Sequence, residues 1–153
     1  MGVEEKLQEL GLELPKAAAP VASYVPCVEA GDVLYVSGQI SMAADGSLIR
    51  GRLGDGMTAD EGRQAAERCA LMILSQVKAA LGGSFGRVER VAKVNVFVQS
   101  TPDFGDQPEV ANGASDLFVK LFGDAGRHAR AAVGVPALPR GVAVEVDAVL
   151  HLR

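Results

Sequence analysis

The residues that could do chemistry gather in the last quarter of the chain, from His128 to Ala148. His128-Ala129-Arg130-Ala131-Ala132-Val133 leads through Leu138-Pro139-Arg140-Gly141 into Val142-Ala143-Val144-Glu145-Val146-Asp147-Ala148. The apolar alternation reads as two strands, and the Leu-Pro-Arg-Gly segment as a tight turn that pairs them. Arg130 stands alone at the start of the first strand, and Glu145 sits among valines in the second. Unpaired charges are costly in a pure core. Their placement makes sense where a small anion and a polar reaction centre meet.

The remaining composition narrows what that centre can be. A chain of 153 residues, 48% of them hydrophobic, suits one domain with a substantial core. The net charge of −4 argues against a binder of phosphate backbones, and no basic-aromatic interleaving of the kind that stacks bases is visible. A ribonuclease is disfavoured on the same grounds. His128, His151, Cys27 and Cys69 lack the spacing of a zinc set. The two cysteines read as reduced and structural. No apolar run approaches the ~18–20 residues that span a bilayer. The acidic start Met1-Gly2-Val3-Glu4-Glu5-Lys6 lacks a secretory core. The expected address is cytoplasmic, with no membrane and no nucleic acid as partner.

The elements that must position Arg130 and Glu145 can be read from periodicity. Val3, Leu7 and Leu10 give a short amphipathic helix that ends near Gly11 and packs on the body or on a neighbouring subunit. Residues 15–20 read as an extended linker. Strands are expected at Tyr24–Glu29 and Val33–Ile40 around the turn Ala30-Gly31-Asp32, with a short one near Ser47–Arg50, and 51–56 reads as loop. Thr58 and Glu61 form a capping box ahead of a helix whose stripe is Ala66, Ala70, Ile73, Val77 and Leu81; Gly82-Gly83 ends it. A strand follows at Val88–Val98, with Ala92, Val94, Val96 and Val98 on one face. A second helix from Pro108 to Phe122 carries Val110, Ala114, Leu117 and Leu121. Final strands cover Ala129–Val135 and Val142–Leu152. The pattern is α+β, a mixed sheet with two long helices packed on one face. The valine-rich second face then calls for burial by oligomerisation.

Several of these segments resemble one known family, RidA, also called YjgF/YER057c/UK114. The matching residues are Tyr24, Val36-Ser37-Gly38-Gln39-Ile40, Val94-Asn95-Val96-Phe97-Val98, Asn112 ahead of Phe118, Arg130 with Leu138-Pro139, and Val144-Glu145-Val146. Their order and spacing agree over roughly residues 22–152. The resemblance implies a chorismate-mutase-like fold, a homotrimer, and a ligand cleft between each pair of subunits. It implies hydrolysis of reactive 2-imino (enamine) acids to 2-keto acids and ammonia, with no cofactor and no metal. The chain is similar to the family with departures. Arg130-Ala131-Ala132 replaces the usual Arg-Ser-Cys, His128 stands where Pro or Ala is common, and Gly134 where an acid is common. A loop at Gly105–Pro108 is extra, and residues 1–21 form an N-terminal helix and linker extension to a single domain, 22–153. These features mark a divergent subgroup that keeps the arginine.

The resemblance assigns roles residue by residue. Arg130 and Glu145 are the catalytic candidates. Arg130 would clamp the substrate carboxylate through paired hydrogen bonds, and Glu145 would position water or shuttle a proton. Tyr24, Ser37, Gly38, Asn112 and the Ala132 backbone N–H are the substrate-binding candidates. Taken alone, Ser37-Gly38 reads as turn chemistry, Tyr24 as a core or interface aromatic, and Asn112 equally as a ligand contact or a loop cap. His128 is an added titratable group near the arginine, and could serve as an acid/base or lie partly solvated where the strand begins. Arg127, Arg140 and His151 read as solvated or incidental, and Asp147 as a lesser participant. The same cleft would serve a non-catalytic protein that binds a small carboxylate such as a 2-keto acid; tight binding without turnover would distinguish that alternative.

Overall fold

The computed structural model describes residues 1–19 and 22–153. Pro20, the end of the expected linker, and the expected boundary after Val21 lie outside the described residues. The elements are α1 (Val3–Glu9), β1 (Cys27–Ala30), β2 (Val33–Ile40), β3 (Arg52–Leu53), β4 (Gly56–Met57), α2 (Ala59–Ala80), β5 (Val88–Gln99), α3 (Gln107–Phe122), β6 (Ala129–Val135) and β7 (Val144–Leu152). Five strands form one mixed sheet in the order β1-β2-β7-β5-β6, in which only the β5–β6 pair is parallel. Helices α2 and α3 pack together across one face. This is the α+β architecture expected from the periodicity.

The local signals act as read. Thr58 Oγ1 accepts from the Glu61 N–H and the Glu61 carboxylate accepts from the Thr58 N–H, so the capping box starts α2. Gly82 and Gly83 stop it in left-handed backbone (φ 78° and 101°). The buried face of α2 is wider than the expected stripe. Ala65, Cys69, Leu71 and Leu74 join Ala66, Ala70, Ile73 and Val77 at full burial, because α3 covers a second side of the helix. In α1, Leu7 is buried while Leu10 is left exposed. The helix packs on this chain's own α3, where the Lys6 ammonium donates to the Leu121 carbonyl.

Three expectations need correction. The first strand starts at Cys27, not Tyr24; Pro26 has no N–H for the ladder, so Tyr24 lies in the preceding loop. Ser47–Arg50 forms only single bridges, Met42 with Leu48 and Arg50 with Val142, while the loop at 51–56 contains the two-residue strands β3 and β4. Most important, β6 and β7 are not paired. β5 lies between them, parallel to β6 and antiparallel to β7. A parallel pair needs a crossover, and α3 supplies it between β5 and β6. The Leu138–Gly141 segment then carries the chain over the end of β5. Gln99, the last residue of β5, accepts from the Leu138 N–H and donates to the Gly51 carbonyl, which fixes that crossing.

The two helices approach closely at a glycine. A Cβ on Gly113 of α3 would overlap the Arg63 carbonyl of α2. Neither backbone can move without opening the core beneath. Gly113→Ala is therefore expected to destabilise the chain by about 1–3 kcal/mol, the usual cost of overpacking, measured by urea denaturation against wild type.

Candidate active site

Strand alternation decides which face each candidate takes. On β7, Val144 and Val146 are fully buried under α2, so Glu145 between them turns to the face without helices. Asp147 shares that face and accepts from Asn95 Nδ2 at 2.8 Å. On β6, Arg130 is opposite the fully buried Val94, and so points to the helix face. The two catalytic candidates of one chain therefore project from opposite faces of the sheet.

Arg130 reaches α3. Its Nη1 donates to Asn112 Oδ1 at 2.8 Å and to Ser115 Oγ at 3.1 Å. Asn112 and Ser115 are three residues apart on the helix and share a face. Among the described residues Arg130 has no acidic partner, and its Nε and Nη2 make no hydrogen bond. Ala132 follows two residues on, along the sheet edge. The Val135 carbonyl accepts from the Ser100 N–H on the β5 side, so alternation turns the Ala132 N–H to the free edge. The arrangement sets a fixed guanidinium with open donors beside an edge backbone N–H, donor chemistry that suits an anion.

His128 is half-buried where β6 begins, in line with the partly solvated reading. Its Nδ1 lies 2.7 Å from the Gly126 carbonyl and its Nε2 lies 2.8 Å from Ser115 Oγ. Its ring packs edge-on against Phe118 with centroids 5.9 Å apart. Burial holds its pKa below the ordinary value, and the charge of Arg130 pushes the same way, against the bond to Gly126.

The other candidates gather around Glu145. A cleft of about 550 Å³ is lined by Tyr24, Gly38, Gln39, Gln76, Arg140 and Glu145, with Ala18 and Ala19 on one wall. Ser37 and Gly38 do not follow a finished strand. They lie inside β2, where the register with β7 shifts between Val36 and Gln39. That bulge brings the backbone against Glu145, and a Cβ on Gly38 would overlap Glu145 Oε2. The Ser37 hydroxyl donates to the Val25 carbonyl at 2.7 Å, which ties down the loop that presents Tyr24. Gln76 Nε2 donates to the Ala18 carbonyl and to Gln39 Oε1, closing the cleft's floor. Arg140 sits at its rim in left-handed backbone (φ 58°).

Gln76 and Ser115 were not singled out by sequence, and Arg140, read as solvated, is exposed at the cleft's rim. Ser115 had a signal, the three-residue helical spacing from Asn112. Gln76 had one too, as a polar residue inside an apolar stripe. The cysteines play no part in either half. Burial pushes the Cys27 thiol up to about 11 and raises Cys69 as well, while Cys69 Sγ donates to the Val144 carbonyl. His151 pairs with Asp32 at 3.0 Å, away from both halves. Among the described residues no three His, Cys, Asp or Glu side chains cluster as a metal site requires, and no helix is long and apolar enough to cross a membrane.

Burial, and then the neighbouring charge of Asp147, raise the Glu145 pKa above the usual carboxylate range. The folded chain thus keeps this proton to higher pH than the unfolded chain does. Stability falls as pH rises through the folded pKa, and no penalty exists below the unfolded value of about 4.3. Glu145→Gln is expected to be more stable than wild type at pH 7.5 and to lose that advantage near pH 4, as read from urea midpoints at both pH values.

Comparison with known proteins agrees with this geometry. The profile of the family described as "YjgF/chorismate_mutase-like, putative endoribonuclease" matches residues 4–149. Protein TCP17 of Trypanosoma cruzi is 53% identical, over 99% of this chain and 94% of its own. The 2-iminobutanoate/2-iminopropanoate deaminase of Rattus norvegicus is 31% identical, over 88% of this chain and 83% of its own. The crystal structure of protein Atu1372 from Agrobacterium tumefaciens superposes with a TM-score of 0.91 at 44% identity, covering 99% of this chain and 94% of that one. With the family profile matched over residues 4–149 and relatives 31–53% identical over most of its length, the chain belongs to the YjgF/RidA family.

Proposed function

We propose that the protein hydrolyses reactive 2-imino acids to 2-keto acids and ammonia, in clefts that form between subunits of a cytoplasmic homotrimer. The observation that carries this reading is the state of Arg130: half-buried, fixed by one nitrogen, and without an acid to neutralise it among the described residues. A desolvated guanidinium in that condition favours a carboxylate ligand. The rat relative at 31% identity carries the name of such a deaminase, which supports the substrate class.

The chemistry follows from the two halves. Arg130 and the Ala132 N–H hold the carboxylate and so set the position of the adjacent imine carbon. Water adds to that carbon while Glu145 takes its proton. That proton passes to the imine nitrogen to complete the carbinolamine; Glu145 then carries the hydroxyl proton to the amine as the C–N bond breaks and the C=O bond forms. The products are the 2-keto acid and ammonia. A carboxylate whose pKa is raised by burial is a stronger base and holds its proton more readily, which suits Glu145 to accept and return that proton. Asn112 would keep Arg130 in place, Gly38 would admit the reacting atoms beside Glu145, and Tyr24 would wall the cleft. Residues 22–153 would form the single domain that carries these groups, with residues 1–21 as an extension.

Because Arg130 and Glu145 of one chain face opposite ways, a cleft that uses both needs Arg130 from one copy and Glu145 from another. The face without helices supports such an assembly. Val28, Tyr35 and Val133 are all about half exposed on it, in register with Val149 and Phe97, and exposed apolar side chains grouped on one face favour a partner.

Two predictions test the reading. In a coupled assay, an amino-acid oxidase would generate 2-imino acids and semicarbazide would trap what survives. Arg130→Ala should lose roughly a hundredfold in kcat/KM, in line with ~1.5–3 kcal/mol for a charged hydrogen-bonded contact. Full activity in that variant would remove Arg130 from the mechanism. Keto-acid binding without turnover of any imine by wild type would favour the binding-protein alternative. Second, Arg130→Ala and Glu145→Gln, each strongly impaired alone, should regain activity when unfolded and refolded together. Random assembly places both intact groups in about a quarter of the clefts if each cleft draws on two subunits. No recovery from mixtures shown to exchange subunits would refute shared clefts.

A further inference from the structure

We infer that His128, acting through Ser115, is a positioning residue for Arg130. The inference rests on the proposed role of Arg130 as carboxylate clamp.

The hydrogen-bond polarity is set by elementary donor rules. The Gly126 carbonyl can only accept, so the His128 nitrogen 2.7 Å away, Nδ1, carries the proton. In the neutral ring Nε2 is then an acceptor, and Ser115 Oγ, 2.8 Å away, must donate its single hydrogen to it. With that hydrogen committed, the Ser115 lone pairs are turned to Arg130, and Nη1 donates to them at 3.1 Å. The result is a one-way chain: Arg130 N–H to Ser115 O–H to His128 Nε2, with His128 Nδ1–H anchored on Gly126. Each link strengthens the next, since a hydroxyl that donates is a better acceptor.

The ring itself cannot drift. It stacks edge-on against Phe118, which is 1% exposed, and sits where the 3-10 turn Gly123–Gly126 meets β6. A Cβ on Gly126 would overlap the Phe118 carbonyl, so that turn is pressed onto α3. Burial and the charge of Arg130 both favour the neutral ring that the chain of bonds requires. Serine alone would leave its hydroxyl free to rotate and to compete for the guanidinium's open positions. Histidine fixes that rotor. Nη1 is thereby occupied, and Nε and Nη2 are left in one plane for a carboxylate. A proline at position 128 could do none of this.

The test compares four variants in the imine-hydrolysis assay, with thermal melts to confirm folding. Ser115→Ala and His128→Phe, the latter keeping an aromatic ring beside Phe118, should each raise KM about fivefold, in line with the loss of one hydrogen bond. Their kcat should stay near the wild-type value. His128→Gln offers Oε1 as an acceptor and should return KM toward wild type. A wild-type KM in Ser115→Ala would overturn the inference, as would His128→Gln as impaired as His128→Phe. If His128→Phe fails to fold, Ser115→Ala and His128→Gln still decide. Arg130→Ala separates the two readings: if it keeps full activity, the clamp itself is wrong; if it is inactive while Ser115→Ala is unaffected, only the His128 chain is wrong. As a readout independent of turnover, nitrogen-15 shifts of His128 at pH 7 should show the neutral ring protonated on Nδ1; the opposite tautomer would overturn it.

Discussion

The period-two alternation of β6 and β7 governs the rest of this structure. Val144, Val146 and Ala148 must go beneath the helices because nothing else can close the core. Glu145 is thereby committed to the open face, and a slip of one residue would exchange core and surface along the whole strand. The same constraint on Val94 sends its neighbour Arg130 to the helix side. Two residues close in sequence and alike in polarity are separated by the sheet itself. Neither can be relocated without turning the valines outward.

This separation explains why some of the site was legible in sequence and some was not. Local codes are short-range, and they read correctly: the Thr58–Glu61 box, the Gly82-Gly83 stop, and the alternation around Glu145. Arg130 was conspicuous because a lone guanidinium among alanines and valines is an unusual choice for a strand. Strand neighbours are a different matter. The Arg130–Val142 stretch looks like a hairpin, but the order of strands depends on which long apolar strand takes the centre. β5, flanked on both sides, wins that place, and no property of residues 136–142 reveals it. The β2 bulge was likewise hidden. A Ser-Gly pair signals a turn and a bulge equally well, and only the fit against Glu145 distinguishes them. His128 was visible as a titratable group near Arg130, but its partner Ser115 lies across a crossover helix.

Both halves of the site are held at a cost. Arg130 is partly desolvated without a counter-charge among the described residues, and Glu145 shares its face with Asp147 while half-buried. Each would be more comfortable in water. Each is instead held by neighbours that cannot yield: Arg130 by Asn112 and Ser115 on a helix locked at Gly113, Glu145 by a strand buried on its other side. Packing in the valine core offsets these penalties. Functional groups in poor surroundings on well-packed elements are the usual arrangement where binding or proton transfer must be prepared in advance.

The N-terminal segment belongs to the same arrangement. Along successive positions of α2, Ser75 donates to the Pro15 carbonyl, Gln76 to the Ala18 carbonyl, and Lys78 pairs with Glu4 at 3.2 Å. These contacts lay the chain from α1 along the helix until Ala18 and Ala19 form a wall of the Glu145 cleft. The exposed ion pair adds little by itself, but Gln76 is buried and joins the segment to Gln39 on the bulged strand. Its amide therefore couples two borders of the cleft, the wall from the N-terminal segment and the floor from β2. With alanines at the wall, the backbone itself approaches the cavity, so the width of the cleft depends on where Gln76 holds that backbone. A residue in the middle of an apolar helix thus sets the shape of a pocket that its own element barely enters.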